Sequence, residues 1–188
     1  MKNKDFVLGI IGPSDSGKNA QILGHSLKGS AGQIGEIARS AAEIGIKKIA
    51  VVPHRGSISG QFAKEFRRSS GARIIGVVPL QDREFGISYL NRGMCNEIVD
   101  CKTWRNSAIK MNEICDAFLC LGFACGALNE IAFSKWFNKN KKQKKKILVC
   151  AWRISSKLPK EIEKDVNLVY AGSVAQLKQR LKEVVDEI

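Results

Sequence analysis

One segment determines the architecture: Asp116-Ala-Phe-Leu-Cys-Leu-Gly-Phe-Ala-Cys-Gly-Ala-Leu-Asn-Glu130. It opens with an apolar run of strand length, Ala117 to Leu121, turns through Gly122 and Gly126, and continues with apolar residues at helical spacing. A buried strand, a glycine turn and a helix N-terminus form an anion site, because backbone N–H groups point outward there and the helix dipole favours negative charge. The segment therefore predicts a strand–turn–helix unit that holds an anion.

Glu130 lies about one turn into the predicted helix. A carboxylate at this position is either a surface residue that complements the helix dipole or a chemical group that faces the turn. The residue pattern leaves both interpretations open.

The rest of the chain repeats the alternation of strand and helix patterns. The clearest helix pattern covers residues 31–45, whereas glycines weaken the helical spacing over residues 20–28. Short apolar runs predict six further strands, at residues 5–12, 48–52, 73–79, 97–99, 147–152 and 167–170. Strands that alternate with helices pair in parallel through right-handed crossovers. The sequence therefore predicts an α/β fold: a Rossmann-like, doubly wound, mostly parallel sheet of about seven strands with helices on both faces. We expect it to form a single domain over residues 1–188.

The turn after the first strand, Gly12 to Asn19, is close to a phosphate-binding P-loop. It has a glycine, four residues and then Gly17-Lys18, but Asn19 stands where a Ser or Thr hydroxyl would hold magnesium. A tight turn is the favoured interpretation, and a P-loop-like NTPase that uses Gly12 to Lys18 is an alternative.

The turn after the second strand is another candidate anion site. Pro53 to Gly60 contains His54, Arg55, two glycines and two serines, and it leads into a helix pattern. Amides, hydroxyls and Arg55 can hold an anion together, and open α/β sheets bind ligands at the carboxyl ends of their strands. An ordinary loop between strand and helix is the alternative. Farther along, residues 80–95 form a polar stretch of a length that is typical of lids or binding segments.

The composition is that of an ordinary globular protein, with 188 residues of which 44% are hydrophobic and 26% charged. No apolar run reaches membrane-spanning length, so we expect a cytoplasmic protein with no membrane partner. The net charge is +13, and six lysines fall within residues 139–146. Such a run is typical of a solvated loop, so nucleic-acid binding is expected only through nonspecific charge.

The six cysteines stand at positions 95, 101, 115, 120, 125 and 150, and none forms Cys-x-x-Cys. Their spacing does not match common zinc sites. We therefore expect free, buried thiols and no metal site.

The order of these turns resembles the Lonely Guy (LOG) phosphoribohydrolases, a superfamily once mislabelled as lysine decarboxylases, and the related molybdenum-cofactor carrier proteins. The resemblance spans about residues 5 to 187 and rests on the order and spacing of short motifs. They are Gly12-Pro13-Ser14, Gly56-x-x-x-Gly60, Arg105-Asn106 before Asp116, and Gly126 to Glu130.

In that superfamily a Pro-Gly-Gly-x-Gly-Thr-x-x-Glu segment binds phosphate and supplies an acid. Here Gly126 matches the third glycine and Glu130 the glutamate, but the Gly-Gly pair and the threonine are absent and Phe123 adds bulk. Arg105 matches the superfamily's arginine but stands two residues farther from the following strand. The resemblance implies Glu130 and Arg105 as catalytic residues. It implies phosphate-binding turns that contain Gly12, Ser14, Arg55, Gly56, Ser57, Gly60, Gly122 and Gly126.

The resemblance also implies a small phosphorylated ligand, either an AMP-like nucleotide or a molybdopterin-type compound, and no required cofactor. Because the motif is incomplete, we predict a ligand-binding protein whose catalytic activity stays open. The alternative is a nucleoside 5′-monophosphate phosphoribohydrolase that cleaves the N-glycosidic bond. In it Glu130 would stabilise an oxocarbenium-like sugar or position a water, and Arg105 would hold the phosphate or Glu130. A homodimer or higher homo-oligomer is implied as well.

Overall fold

The computed structural model describes residues 6–70, 73–138 and 144–187. Its strands are β1 (Val7–Ile11), β2 (Lys48–Val51), β3 (Arg73–Val78), β4 (Glu97–Asp100), β5 (Ala117–Cys120), β6 (Ile147–Cys150) and β7 (Leu168–Ala171). They form one seven-stranded sheet in the order β4-β3-β2-β1-β5-β6-β7, and every neighbouring pair is parallel. The predicted Rossmann-like α/β fold is confirmed.

Helices cover both faces of the sheet. They are α1 (Ser16–Ile22), α2 (Leu27–Glu43), α3 (Ile58–Ser70), α4 (Ser107–Ile114), α5 (Cys125–Asn138), α6 (Lys160–Glu163) and α7 (Val174–Asp186). Helices α2, α3 and α7 pack on one face, and α4 and α5 pack on the other. Within β1, Leu8 contributes to the first cluster and Val7 to the second. Burial of both faces explains why the strands are continuous apolar runs.

Some element boundaries differ from the sequence-based prediction. Helix α2 begins at Leu27 rather than at residue 31, because the Ser26 hydroxyl accepts a hydrogen bond from the Gly29 amide (3.0 Å) and caps the helix. Glycines 29 and 32 therefore lie inside α2, where packing against α3 outweighs their low helix propensity. Strand β6 ends at Cys150, and Ala151–Arg153 forms a 3-10 turn instead of a strand end.

The lysine run is only partly described, since residues 139–143 lie outside the described ranges. Lys144 is exposed, as expected for a solvated loop, but Lys145 is buried. The Lys145 amine donates hydrogen bonds to the carbonyls of Asn112 and Cys115 at the end of α4. Lys145 therefore stabilises the C-terminus of that helix, which corrects the prediction for this one residue.

All six cysteines are free thiols, as predicted. Cys125 is exposed and Cys95 is half-buried, so the expected burial holds for the other four. Within the described ranges, no group of three or more His, Cys, Asp or Glu side chains could hold a metal ion. No helix in the part of the chain that the structure describes combines the length and apolar character needed to cross a bilayer.

Candidate functional site

The candidate site lies where the order of the strands reverses. Strand β1 lies between β2 and β5, and open α/β sheets bind ligands outside the carboxyl ends of the strands at such a point. The Ser16 amide donates to the Gly56 carbonyl (3.0 Å), and the Ile58 amide donates to the Pro13 carbonyl (3.1 Å). A Cβ placed on Gly122 would lie 3.0 Å from Pro13 Cδ. The loops after β1, β2 and β5 therefore meet at one edge of the sheet.

A cavity of about 170 Å³ opens at this edge, and we call it the Glu130 cavity. Its walls are the end of β1, the loops after β1 and β2, and the first turns of α4 and α5. Its polar side chains belong to Ser14, His54, Ser57, Ser59, Trp104, Ser107, Asn129 and Glu130. Five of the site residues that the resemblance implied thus face one space, namely Gly12, Ser14, Ser57, Gly126 and Glu130.

Glu130 is only 9% exposed, so its carboxyl is not a solvated surface group. Burial raises its pKa to about 8, because ionisation away from water is unfavourable. No cation or hydrogen-bond donor among the described residues offsets this effect. The Glu130 carboxyl is therefore mostly protonated at neutral pH.

The first turn of α5 provides the anion-binding feature of the cavity. The first amides of an α-helix have no intrahelical carbonyl partner. Main-chain bonding in α5 begins with the Leu128 amide, which donates to the Ala124 carbonyl (2.8 Å). Gly126 is exposed, and no heavy atom outside the helix's own backbone lies within 4 Å of the position that its Cβ would occupy. A phosphate oxygen can therefore approach the amides of this turn closely.

In the turn after β2, the Ser57 hydroxyl was predicted to bind a ligand but forms hydrogen bonds within the turn. The Ser57 hydroxyl donates to the His54 carbonyl (2.7 Å) and accepts from the Gly60 amide (3.0 Å). These bonds cap the start of α3. Arg55 and Gly56 are exposed beside them, and Gly56 has a φ of +76°, a conformation that glycine adopts readily.

A larger depression of about 720 Å³ adjoins this turn, and we call it the α3 groove. The residues that give it its charge and shape are Ser16, Arg55, Gly56, Lys64, Arg67 and Arg68. His54 and Ser57 line both the α3 groove and the Glu130 cavity, so the two spaces share a wall. None of the described residues that line the groove is acidic.

Three aromatic rings, those of His54, Tyr89 and Trp104, contact one another in a row beside the Glu130 cavity. The centroids of His54 and Tyr89 are 4.8 Å apart, and Tyr89 stacks on Trp104 at 5.7 Å with 12° between the ring planes. Trp104 Nε1 donates to the Gly86 carbonyl (3.1 Å). Leu90 also pairs with His54 as an isolated antiparallel bridge. The predicted binding segment, residues 80–95, is thus held against the wall of the cavity by ring contacts and main-chain bonds.

Neither the Glu130 cavity nor the α3 groove is lined by Arg105, Gly122 or Phe123. The Arg105 side chain is 81% exposed and forms an ion pair with Glu84 (3.3 Å), so in this arrangement it contacts neither Glu130 nor the cavity. Phe123 is half-buried against the core of the α4–α5 face and does not fill the cavity. Gly122 is packed against Pro13 and the Arg153 carbonyl, which indicates a structural role.

The turn from Gly12 to Lys18 has a carboxylate where a P-loop would hold phosphate. Asp15 Oδ1 accepts a hydrogen bond from the Lys18 amide (2.9 Å) and caps α1. A phosphate at this position would compete with the Asp15 carboxylate for the same amide and would be repelled by its charge. This geometry does not favour the NTPase alternative, which stays a prediction.

Several cavity residues were not singled out from the sequence. Trp104 lies in the 3-10 turn before α4, Ser107 is the first residue of α4, and Asn129 lies beside Glu130. Each follows a predicted strand, so its place at the carboxyl edge could have been inferred. Their convergence could not, because it depends on the order of the strands in the sheet.

These features define a class: a Rossmann-like α/β protein with a cavity at the switch point of a parallel sheet, where the order of the strands reverses. Among solved structures, the chain is similar to the molybdenum cofactor carrier protein of Chlamydomonas reinhardtii. The identity is 14%, the TM-score is 0.68, and the match covers 97% of this chain and 99% of that one.

The molybdenum cofactor binding protein of the phototrophic bacterium Rippkaea orientalis is another structural neighbour. It has 11% identity and a TM-score of 0.70, over 97% of this chain and 98% of that one. The structural-genomics target TM1055 has 15% identity and a TM-score of 0.62, over 95% and 99%. No protein-family model and no curated protein matches the sequence. The predicted resemblance is confirmed at the level of the fold.

Proposed function

We propose that the chain binds a small phosphorylated ligand in the Glu130 cavity, with the phosphate on the first turn of α5. The observation that carries this proposal is the buried Glu130 carboxyl beside that open turn. An ionised Glu130 carboxylate would repel a phosphate that is bound at the start of α5. A pKa near 8 leaves the carboxyl neutral at physiological pH, so it can donate a hydrogen bond to the ligand instead.

The ligand class that we propose is an AMP-like nucleotide or a molybdopterin-type compound. Both combine a phosphate with a planar heterocycle, and the cavity offers serine hydroxyls together with the rings of His54 and Trp104. The structural neighbours named for the molybdenum cofactor support the second choice. The binding itself requires no resident metal.

The proposal includes the formation of a homo-oligomer, which the resemblance implies. Light scattering measures the oligomeric state.

The test is calorimetric titration with a panel of nucleoside 5′-monophosphates and a molybdopterin extract, comparing Gly126→Asp with Gly126→Asn. The Cβ that either substitution adds at Gly126 has no heavy atom within 4 Å outside the helix's own backbone. The aspartate adds a negative charge where the ligand phosphate would lie, and the asparagine has nearly the same shape without the charge. We expect Gly126→Asp to weaken binding at least tenfold relative to Gly126→Asn.

The unfolding temperatures of the two Gly126 variants provide the control. An acidic residue in the first turn of a helix stabilises it by about 0.3–1 kcal/mol, so Gly126→Asp should unfold at the same or a slightly higher temperature. A loss of binding without a loss of stability places the phosphate at α5. Equal affinity of the two variants, or no binding of any panel member by the parent protein, overturns the proposal.

Hydrolysis of the N-glycosidic bond is the second candidate function, and the protonated Glu130 favours it. In this reaction the bond between the base and C1′ breaks, and the Glu130 carboxyl gives its proton to the departing base. Water adds its OH to C1′, and the proton that water loses returns to the Glu130 carboxylate. General acid catalysis of this kind contributes about 10²–10⁴ in rate. The products are the free base and ribose 5-phosphate.

Chromatography of released base decides between binding and hydrolysis. If the protein is a hydrolase, Glu130→Gln should lower the rate of base release at least a hundredfold while ligand affinity stays within a few-fold of the parent. A Glu130→Gln protein that releases base as fast as the parent excludes Glu130 as the acid. A parent protein that binds the nucleotide and releases no base is a binding protein.

A further inference from the structure

The Glu130 cavity is too small to enclose a whole nucleotide. Its volume is about 170 Å³, whereas sites that bury a small molecule measure roughly 300–1,000 Å³. A ligand with one end beside Glu130 must therefore extend out of the cavity. His54 and Ser57 form a wall that the cavity shares with the 720 Å³ α3 groove, and this groove is large enough to hold the rest.

The charges of the α3 groove indicate what that second part of the ligand carries. Arg67 donates hydrogen bonds to the Met94 carbonyl and to Asn96 Oδ1 (2.9 Å for the latter), and Arg68 pairs with Glu65 (2.8 Å). These two arginines already have protein partners.

Arg55 and Lys64 are different. Both are exposed, both line the groove, and neither forms an ion pair with the described residues. Arg55 precedes Gly56 in the chain and Lys64 lies in α3, and no described residue that lines the groove with them is acidic. Two unpaired cations in a concave space attract an anion more strongly than the same charges on a convex surface.

We propose that the natural ligand carries a second anionic group, as in a nucleoside diphosphate or a pyrophosphate-linked dinucleotide, and that Arg55 and Lys64 bind this group in the α3 groove. The inference rests on the proposed function, because it places the first phosphate at α5 in the Glu130 cavity. It goes beyond that function by assigning a second anion site and by excluding a simple monophosphate as the best ligand.

The experiment measures dissociation constants at 0.15 M NaCl for the mono- and diphosphate of adenosine, guanosine, cytidine and uridine, and for the pyrophosphate-linked dinucleotide of the base that binds best. We expect the diphosphate and the dinucleotide to bind at least tenfold tighter than the monophosphate. In the double variant Arg55→Ala/Lys64→Ala this advantage should disappear, while the affinity for the monophosphate stays within about twofold.

The matched control is Lys160→Ala/Lys182→Ala, which removes two exposed cations from α6 and α7 and lowers the net charge equally. It should keep the tenfold preference, since neither lysine lines the groove. Equal affinity of mono- and diphosphate for the parent protein, or an equal loss in the control, overturns the second anion site and leaves the proposed function intact. Failure of every nucleotide to bind the parent protein overturns both.

Discussion

At the scale of single residues, the burial of Glu130 makes the free energy of unfolding depend on pH. An acid whose pKa rises from 4.5 in the unfolded chain to about 8 in the folded one binds more protons in the folded state between these values. The free energy of unfolding therefore falls as the pH rises through this window. Each pH unit in the window corresponds to about 1.4 kcal/mol.

Glu130→Gln removes this dependence while preserving the shape of the side chain. We expect the variant and the parent to be similarly stable at pH 5. At pH 8.5 the variant should be more stable by a few kcal/mol, on the order expected from a shift of this size. Urea unfolding at several pH values measures the difference, with Glu36→Gln on the exposed face of α2 as the control. Parallel pH profiles for Glu130→Gln and the parent would show that the carboxyl is ionised in the folded protein.

At the scale of secondary-structure elements, Gly122 joins β5 to α5 in a place where a side chain does not fit. Its φ is +151°, and a Cβ there would lie 3.0 Å from Pro13 Cδ and 3.3 Å from the Arg153 carbonyl oxygen. We expect Gly122→Ala to destabilise the protein by about 1–3 kcal/mol through backbone strain and contact with these neighbours. Thermal and urea unfolding measure this change.

Gly32→Ala is the matched control, because Gly32 lies within α2 and its Cβ position is open. Alanine in a helix interior is favoured over glycine by roughly 0.5–1 kcal/mol, so this variant should be slightly stabilised. If both variants keep the parent's stability, Gly122 is not a constrained position and the turn can rearrange.

The strands and helix α2 show how much of the fold could be predicted from the sequence. The strands were predicted to within a few residues, because a parallel strand buried on both faces is an uninterrupted apolar run. The start of α2 was missed, since glycines 29 and 32 argue locally against a helix that tertiary packing and the Ser26 cap stabilise. The burial of Glu130 could not be predicted either, because its position in the helix is equally suited to a solvated residue.

At the scale of the whole molecule, Arg153 connects parts of the chain that are far apart in sequence. It is fully buried, and its guanidinium donates to the Leu121 carbonyl (3.2 Å), Gln33 Oε1 (2.9 Å) and the Ser30 hydroxyl (3.1 Å). These bonds tie the end of β5 to α2 beside the candidate site. Burial lowers the pKa of the guanidinium, and no carboxylate of the described residues is paired with it.

Two opposing effects decide the outcome of replacing Arg153. Losing the donors leaves buried acceptors unpaired, at about 1–3 kcal/mol each where they cannot turn to another partner. Removing a buried charge is favourable, since the desolvation penalty is several kcal/mol per ion. Arg153→Met loses the bonds and also the charge, whereas Arg153→Lys keeps the charge without the planar fork that reaches three acceptors.

We therefore expect stability to decrease in the order Arg153, Arg153→Met, Arg153→Lys. Burial lowers the pKa of a lysine, so the unfolded lysine variant binds more protons than the folded one, and its stability falls as the pH falls. The gap between the Lys and Met variants should widen from pH 9 to pH 6, as measured by urea unfolding. A lysine variant more stable than the methionine variant at pH 6 would mean that the position needs a positive charge, and that the bonds to Leu121, Gln33 and Ser30 contribute little.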